Sequence, residues 1–246
     1  MQRLDNSAVS DYTDFRNRGQ RRLRRLDSYQ IIGKRLFYCD EAKIMIKIID
    51  YKAGNAPSVM NAVTHLGFSA TYARLPQDIA DATHIILPGV GSAKATMDSL
   101  RQMEFIDALE VAVLRKKALF LGICVGMQIL FEHSEEDDAE CLGWLEGRVV
   151  KFDMSKVRVP QMGWNQVRFV KSAFGDMGED FFYFVNSYYA KPESAADVWG
   201  TAEYNGSFTA AVCRENIFAT QFHAEKSGEA GLALLKRFLY CEQISC

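Results

Sequence analysis

Cys124 stands between two glycines in the stretch "GICVG", Gly122 to Gly126. The run before it, "ALFLGIC", reads as a buried strand, and "VGMQILFEHS" after it reads as a helix. The pattern G-x-C-x-G is the sulfur counterpart of the nucleophile elbow, in which a strained strand-to-helix turn lifts a reactive side chain clear of the sheet. A thiol at a helix N-terminus sits in partial positive charge, which favours the thiolate, the attacking species. The amide of the next residue, Val125, points where an oxyanion would form. A buried structural cysteine is the competing reading of the same five residues.

A thiolate needs a base, and the chain has 4 histidines. His65 lies on a helix with apolar neighbours, His84 precedes a strand, and His133 ends an acid-rich helix. His223, in "TQFHAEKS", ends a β-branched and aromatic run and is followed two residues later by Glu225. Residues i and i+2 of an extended chain face the same way. Glu225 is thereby placed to orient His223 while His223 takes the proton of Cys124, the acid–base–nucleophile order of a triad. "LPGVG", Leu87 to Gly91, follows another buried strand, and its backbone can approach a ligand closely. It belongs beside the elbow if both turns end adjacent parallel strands, although alone it is a plain strand-to-helix turn. The 6 cysteines are scattered with no C-x-x-C pair, so the sequence implies no metal.

The elements that must hold these groups begin at Met45. "MIKIID" and "HIILPG" read as buried strands, "SVMNAVTHLG" as a helix closed by Gly67, and "TMDSLRQMEFIDALEVAVLRKK" as a helix with one possible break. This alternation is that of a doubly wound α/β sheet, mostly parallel and flanked by helices. The second half changes to short aromatic and β-branched runs: "GRVVKF", "QVRFV", "FFYFVNSYYA", "VWGTAEY", "FTAAVCREN" and "IFATQFH". They predict antiparallel or mixed strands folded onto the first half, before a last helix "GEAGLALLKRFLYC". Residues 1–44, with the basic run "RNRGQRRLRRL", read as an N-terminal extension of poor order, leaving 45–246 as one domain. A transit peptide or a nucleic-acid arm competes for that segment, but its aspartates argue against the former.

A net charge of −2 gives no electrostatic case for nucleic acid or an anionic membrane as partner. The longest apolar stretch, 118–131, is too short for a bilayer and is interrupted by glycines and Gln128. Scattered cysteines in a chain of 246 residues without a secretory signal point to a reducing, cytoplasmic setting.

"IIDYKAGN", "LPGVG", "LGICVGMQILFEHSEED", "PQMGWN", "YFVNSYY" and "QFHAEKSGEAGL" occur in that order between about Met45 and Leu239. Together they resemble the class I (triad) glutamine amidotransferases, and within them the subunit type of imidazole glycerol phosphate synthase. The resemblance implies a flavodoxin-like α/β fold and a glutaminase. In it Cys124 attacks the glutamine amide, and His223 and Glu225 complete the triad. Val90, Gly91 and Val125 form the oxyanion strand and hole, while Gln128, Glu136, Ser187 and Tyr188 hold the substrate's amino-acid end. Gly54, Asn55, Trp164, Tyr183 and Lys226 line the partner interface or gate ammonia. The implied partner is a (β/α)8-barrel cyclase in a heterodimer, and no cofactor is implied. The family pattern has His where this chain has Gln161 and Asn186, and Pro where it has Ala224. A paralogue supplying ammonia for amidination of a surface sugar, and a catalytically silent scaffold, are the alternatives. A thiol hydrolase of the α/β-hydrolase type conflicts with the order of His223 and Glu225, since there the acid precedes the histidine.

Overall fold

The computed structural model of the chain describes residues 29–32, 35–38, 44–52 and 54–241. Two compact units divide it, Met1–Ile44 and Met45–Cys246. In the first, β1 (Tyr29–Ile32) and β2 (Arg35–Tyr38) pair antiparallel with Tyr29 opposite Tyr38. The basic run at 16–26, where the sequence predicts poor order, lies outside the described residues.

The second unit opens with β3 (Ile46–Ile49), followed by α1 (Ala56–His65), β4 (Ala70–Ala73) and β5 (His84–Gly89). Helix α1 buries Val59, Ala62 and Val63, and the chain leaves it through Gly67 at φ +85°, a left-handed position suited to glycine. Then come α2 (Ala93–Gln102), α3 (Phe105–Leu109) and β6 (Leu119–Cys124). The expected break in the long helical stretch falls between α2 and α3, where Glu104 adopts φ +58°, and α3 runs on as a π-helical turn over Glu110–Arg115. Strands β4, β3, β5 and β6 lie side by side in that order, all parallel. Every residue of β5 and β6 is buried, which is why both read as unbroken apolar runs without alternation.

After Cys124 the sequence predicts a long helix. The structure has only one turn, α4 (Val125–Gln128). Residues 125–131 are all buried, so the run carries no amphipathic period and no exposed face to keep it helical. The chain turns instead into β7 (His133–Ser134), putting His133 in a strand, and pairs it with β8 (Ala139–Glu140) and with β9 (Gly147–Lys151).

The aromatic runs of the second half form β10 (Gln161–Phe169), β11 (Glu179–Asn186), β12 (Tyr188–Pro192), β13 (Val198–Glu203), β14 (Ser207–Arg214) and β15 (Ile217–Thr220). They extend the same sheet as the additional antiparallel and mixed strands that the sequence predicts. The hinge strand is β15, parallel to β6 on one side and antiparallel to β14 on the other. Among the described residues the sheet thus runs β4-β3-β5-β6-β15-β14-β12-β9-β7-β8, with β10, β11 and β13 branching from β14. Rings from this half make its core: Phe182 meets Phe222 at 4.1 Å and Phe174 meets Phe218 at 4.4 Å between centroids. The last helix, α5 (Gly228–Leu239), adds Phe238 to that cluster. Among the described residues no helix is long and apolar enough to cross a membrane.

Candidate active site

Strand β6 ends at Cys124, whose backbone sits at φ +56°, ψ −109°. That conformation is costly for a residue with a Cβ and persists only where the surroundings enforce it. The flanking glycines serve close approach. A Cβ on Gly122 would lie 2.4 Å from the carbonyl oxygen of Gly126, and one on Gly126 would lie 2.2 Å from that of Leu87. The turn is pressed onto β5 with no room for side chains, and the strain falls on the cysteine itself. With a single turn behind it, α4 lends the sulfur far less macrodipole than the long helix expected from the sequence, so the charge of a thiolate must be met by nearer groups.

His223 is one of those groups, and it lines the same cleft as Cys124. The sequence argument put His223 and Glu225 on one face of an extended run, but β15 stops at Thr220. A 3-10 turn, Ala224–Lys226, brings the carboxylate back under the ring instead, and His223 Nδ1 donates to Glu225 Oε1 at 2.9 Å. Both side chains are buried. Burial opposes charge on the imidazole, but its bonds to Cys124 and Glu225 and their negative charge outweigh it and push its pKa up to about 10. The charged form of the ring is thereby favoured. Its main chain is fixed too: His223 N donates to the Tyr183 carbonyl at 2.9 Å, and Ser227 Oγ donates to the His223 carbonyl at 2.6 Å while accepting from Tyr183 N at 2.9 Å. Asn55 Nδ2 donates to the same Glu225 oxygen at 3.1 Å, so this residue, expected at the partner interface, also braces the carboxylate.

Cys124 and His223 open on a cleft of about 310 Å³. Val90, Gly91 and Val125 line it beside the sulfur, as do Gln128, Glu136, Ser187, Tyr188 and Lys226. Gly91 takes φ +88°, so its turn needs glycine for conformation rather than space. Glu136 accepts from Ala93 N at 2.9 Å, and its half-buried carboxyl is raised in pKa chiefly by desolvation. Gly54, Asn55, Trp164, Tyr183 and Glu225 are not among the residues lining the cleft. Trp164 stands edge-on to Tyr183 at 6.0 Å across the β10–β11 pair.

Gln161 is buried, directly opposite Asn186 in the β10–β11 register, so the two departures from the family pattern form one cross-strand pair. Asn186 Nδ2 donates to the Tyr188 carbonyl at 3.0 Å. Sequence reasoning missed Ser227 and Gln221, both buried against the site. Only their position within "QFHAEKS" could have drawn attention to them. Among the described residues no cluster of His, Cys, Asp or Glu could hold a metal ion.

The profile of the family described as "Glutamine amidotransferase class-I" matches residues 47–241. The chain belongs to the class-I glutamine amidotransferase family. This amidotransferase is 42% identical over 199 residues to "Imidazole glycerol phosphate synthase subunit HisH 2" of Methanococcus maripaludis, covering 79% of this chain and 98% of that protein. It is also 42% identical over 202 residues to the chloroplastic "Imidazole glycerol phosphate synthase hisHF" of Arabidopsis thaliana, covering 80% of this chain but 34% of that longer protein. Among solved structures, PurLQS from Thermotoga maritima matches with a TM-score of 0.65 and 18% identity over 80% of this chain and 98% of that one, a likeness of fold.

Proposed function

We propose that this amidotransferase is the glutaminase subunit of imidazole glycerol phosphate synthase, releasing ammonia from glutamine for histidine biosynthesis. One observation carries the reading: Cys124 and His223 line one cleft and His223 Nδ1 meets Glu225 Oε1 at 2.9 Å, in a chain 42% identical to a HisH subunit.

The Cys124 thiolate attacks the side-chain amide carbon of glutamine, forming a C–S bond and moving the carbonyl electron pair onto oxygen. The backbone around Val90, Gly91 and Val125 receives that oxyanion. Collapse breaks the C–N bond, and the departing nitrogen takes a proton from the His223 imidazolium and leaves as ammonia. Water, deprotonated by His223, then attacks the thioester and releases glutamate and thiolate. Gln128 has both amide hydrogens committed, to the Tyr188 carbonyl at 3.1 Å and to Gln221 Oε1 at 3.0 Å, so its oxygen is what it offers the substrate. Glu136 is a partly desolvated carboxyl that the ammonium of glutamine would compensate. Ser187 and Tyr188 supply backbone contacts to the substrate carboxylate.

The ammonia passes to a (β/α)8-barrel cyclase subunit, with Gly54, Asn55, Trp164, Tyr183 and Lys226 at the interface. The Arabidopsis relative, in which the matching region is about a third of a longer hisHF chain, supports a partner that works in constant contact. Scattered cysteines with no C-x-x-C pair suit a reducing compartment such as the cytoplasm.

The test is glutamate release by the chain with a purified cyclase and its nucleotide, and without them. Glutamate is expected from the complex. Cys124→Ala is expected to abolish it while ammonia-dependent turnover by the partner continues. Loss of both activities, or release that ignores the substitution, contradicts the reading. Glutaminase without rescue of a histidine auxotroph carrying a matched cyclase would point to the sugar-amidinating paralogue.

A further inference from the structure

Gln221 is fully buried, with 0% exposure, between the elbow and the substrate cleft. The direction of its amide follows from its neighbours. A backbone carbonyl only accepts, so the group of Gln128 that meets the Tyr188 oxygen at 3.1 Å is its NH2. The same NH2 lies 3.0 Å from Gln221, which must present its oxygen there. The NH2 of Gln221 is thereby turned to Cys124, with Nε2 3.6 Å from Sγ. The Val185 carbonyl, 3.9 Å from the sulfur, can take a thiol proton but offers a thiolate nothing.

We propose that Gln221 is a catalytic hydrogen-bond donor to the Cys124 sulfur, holding it as thiolate and aiming it into the cleft. The proposal rests on the glutaminase reading for its catalytic meaning, although the bond itself does not. It fits the short α4, whose one turn leaves the anion in need of a local donor. It also joins two parts of the site. Gln128 fixes Gln221, so a substrate that engages Gln128 acts on the bridge to the nucleophile. The second half-reaction expels the same thiolate from the thioester, and the donor favours that departure as well.

The test follows carbamidomethylation of Cys124 by iodoacetamide against pH in the full chain, with the Cys124 peptide resolved by mass spectrometry from those of the other cysteines. Gln221→Leu removes the donor, and Gln221→Met keeps length and volume while removing the N–H without adding charge. Both are expected to move the alkylation midpoint up by about one pH unit, about tenfold slower reaction below the midpoint, as befits loss of a bond to a charged group. A packing role alone would spare the near-isosteric Met, and midpoints that coincide with the parent's overturn the proposal. In the complex with cyclase, glutaminase kcat is expected to fall about tenfold with KM little changed. A shifted midpoint in a parent that releases no glutamate would uphold the bond and overturn the glutaminase reading alone.

Discussion

A buried imidazole keeps its proton only while the groups that favour its charge are present. His223 owes its raised pKa, about 10, to Cys124 and Glu225 against the opposing effect of burial. In Cys124→Ser the thiolate is gone, and the ring is expected to titrate at least about one unit lower, as read by NMR of the imidazole carbons. The sign of the linkage follows: a folded pKa above the unfolded 6.5 contributes stability that is complete below 6.5 and lost as pH climbs through about 10. The fall in denaturation midpoint between neutral pH and pH 10 should therefore be smaller in Cys124→Ala than in the parent. Asn55 belongs to the same charge balance, because it donates to the Glu225 oxygen that His223 uses, while the other oxygen of Glu225 has no partner among the described residues. Asn55→Ala is expected to lower kcat about tenfold with folding intact, the cost of one bond to a buried anion. Asn55→Asp should be worse, since it sets like charges together.

At the scale of elements, the elbow is a contact between strand and turn. Gly126→Ala would drive a Cβ to 2.2 Å from a β5 carbonyl that cannot move without breaking the sheet. A loss of about 1–3 kcal/mol is expected, visible as a Tm lowered by several degrees, together with loss of glutaminase as the cysteine is displaced. How much was legible beforehand depends on where each signal resides. Strands β5 and β6 were plain because complete burial writes an unbroken apolar run. G-x-C-x-G was plain because backbone contact tolerates only glycine. Strand β4 was missed: it is four residues at the sheet margin, with only Ala73 buried, and it lacks both signals. Helix α4 was over-extended because a run buried on every side looks alike as helix or as coil. The pairing of His223 with Glu225 was legible, but the way Glu225 reaches His223 was not, since a 3-10 turn and a strand both allow two residues' separation. Gln221 and Ser227 were illegible for another reason: each acts through partners distant in sequence, which pattern reading of one chain does not reveal.

Over the whole molecule, the antiparallel half presents an apolar strip beside the site. Met162, Trp164 and Phe181 on β10 and β11 are 67%, 57% and 54% exposed. Trp164 stands against Tyr183, and Tyr183 bonds through its backbone to His223 and Ser227. A partner seated on Trp164 therefore touches the strand that anchors His223, without any group having to cross the cleft. Two effects of that seat are separable by experiment. Trp164→Ala removes a ring that is mostly in water, so Tm should hardly change. An aromatic anchor at the centre of an interface is typically worth about 2 kcal/mol or more, so affinity for the cyclase is expected to weaken about thirtyfold by titration calorimetry. If Trp164 serves binding alone, glutaminase of the variant recovers its full kcat once the cyclase is saturating. If contact at Trp164 also sets the position of β11, kcat stays low at saturation and the Cys124 alkylation profile of the complex no longer matches the parent's. The direct Tyr183-to-His223 bond favours the second outcome.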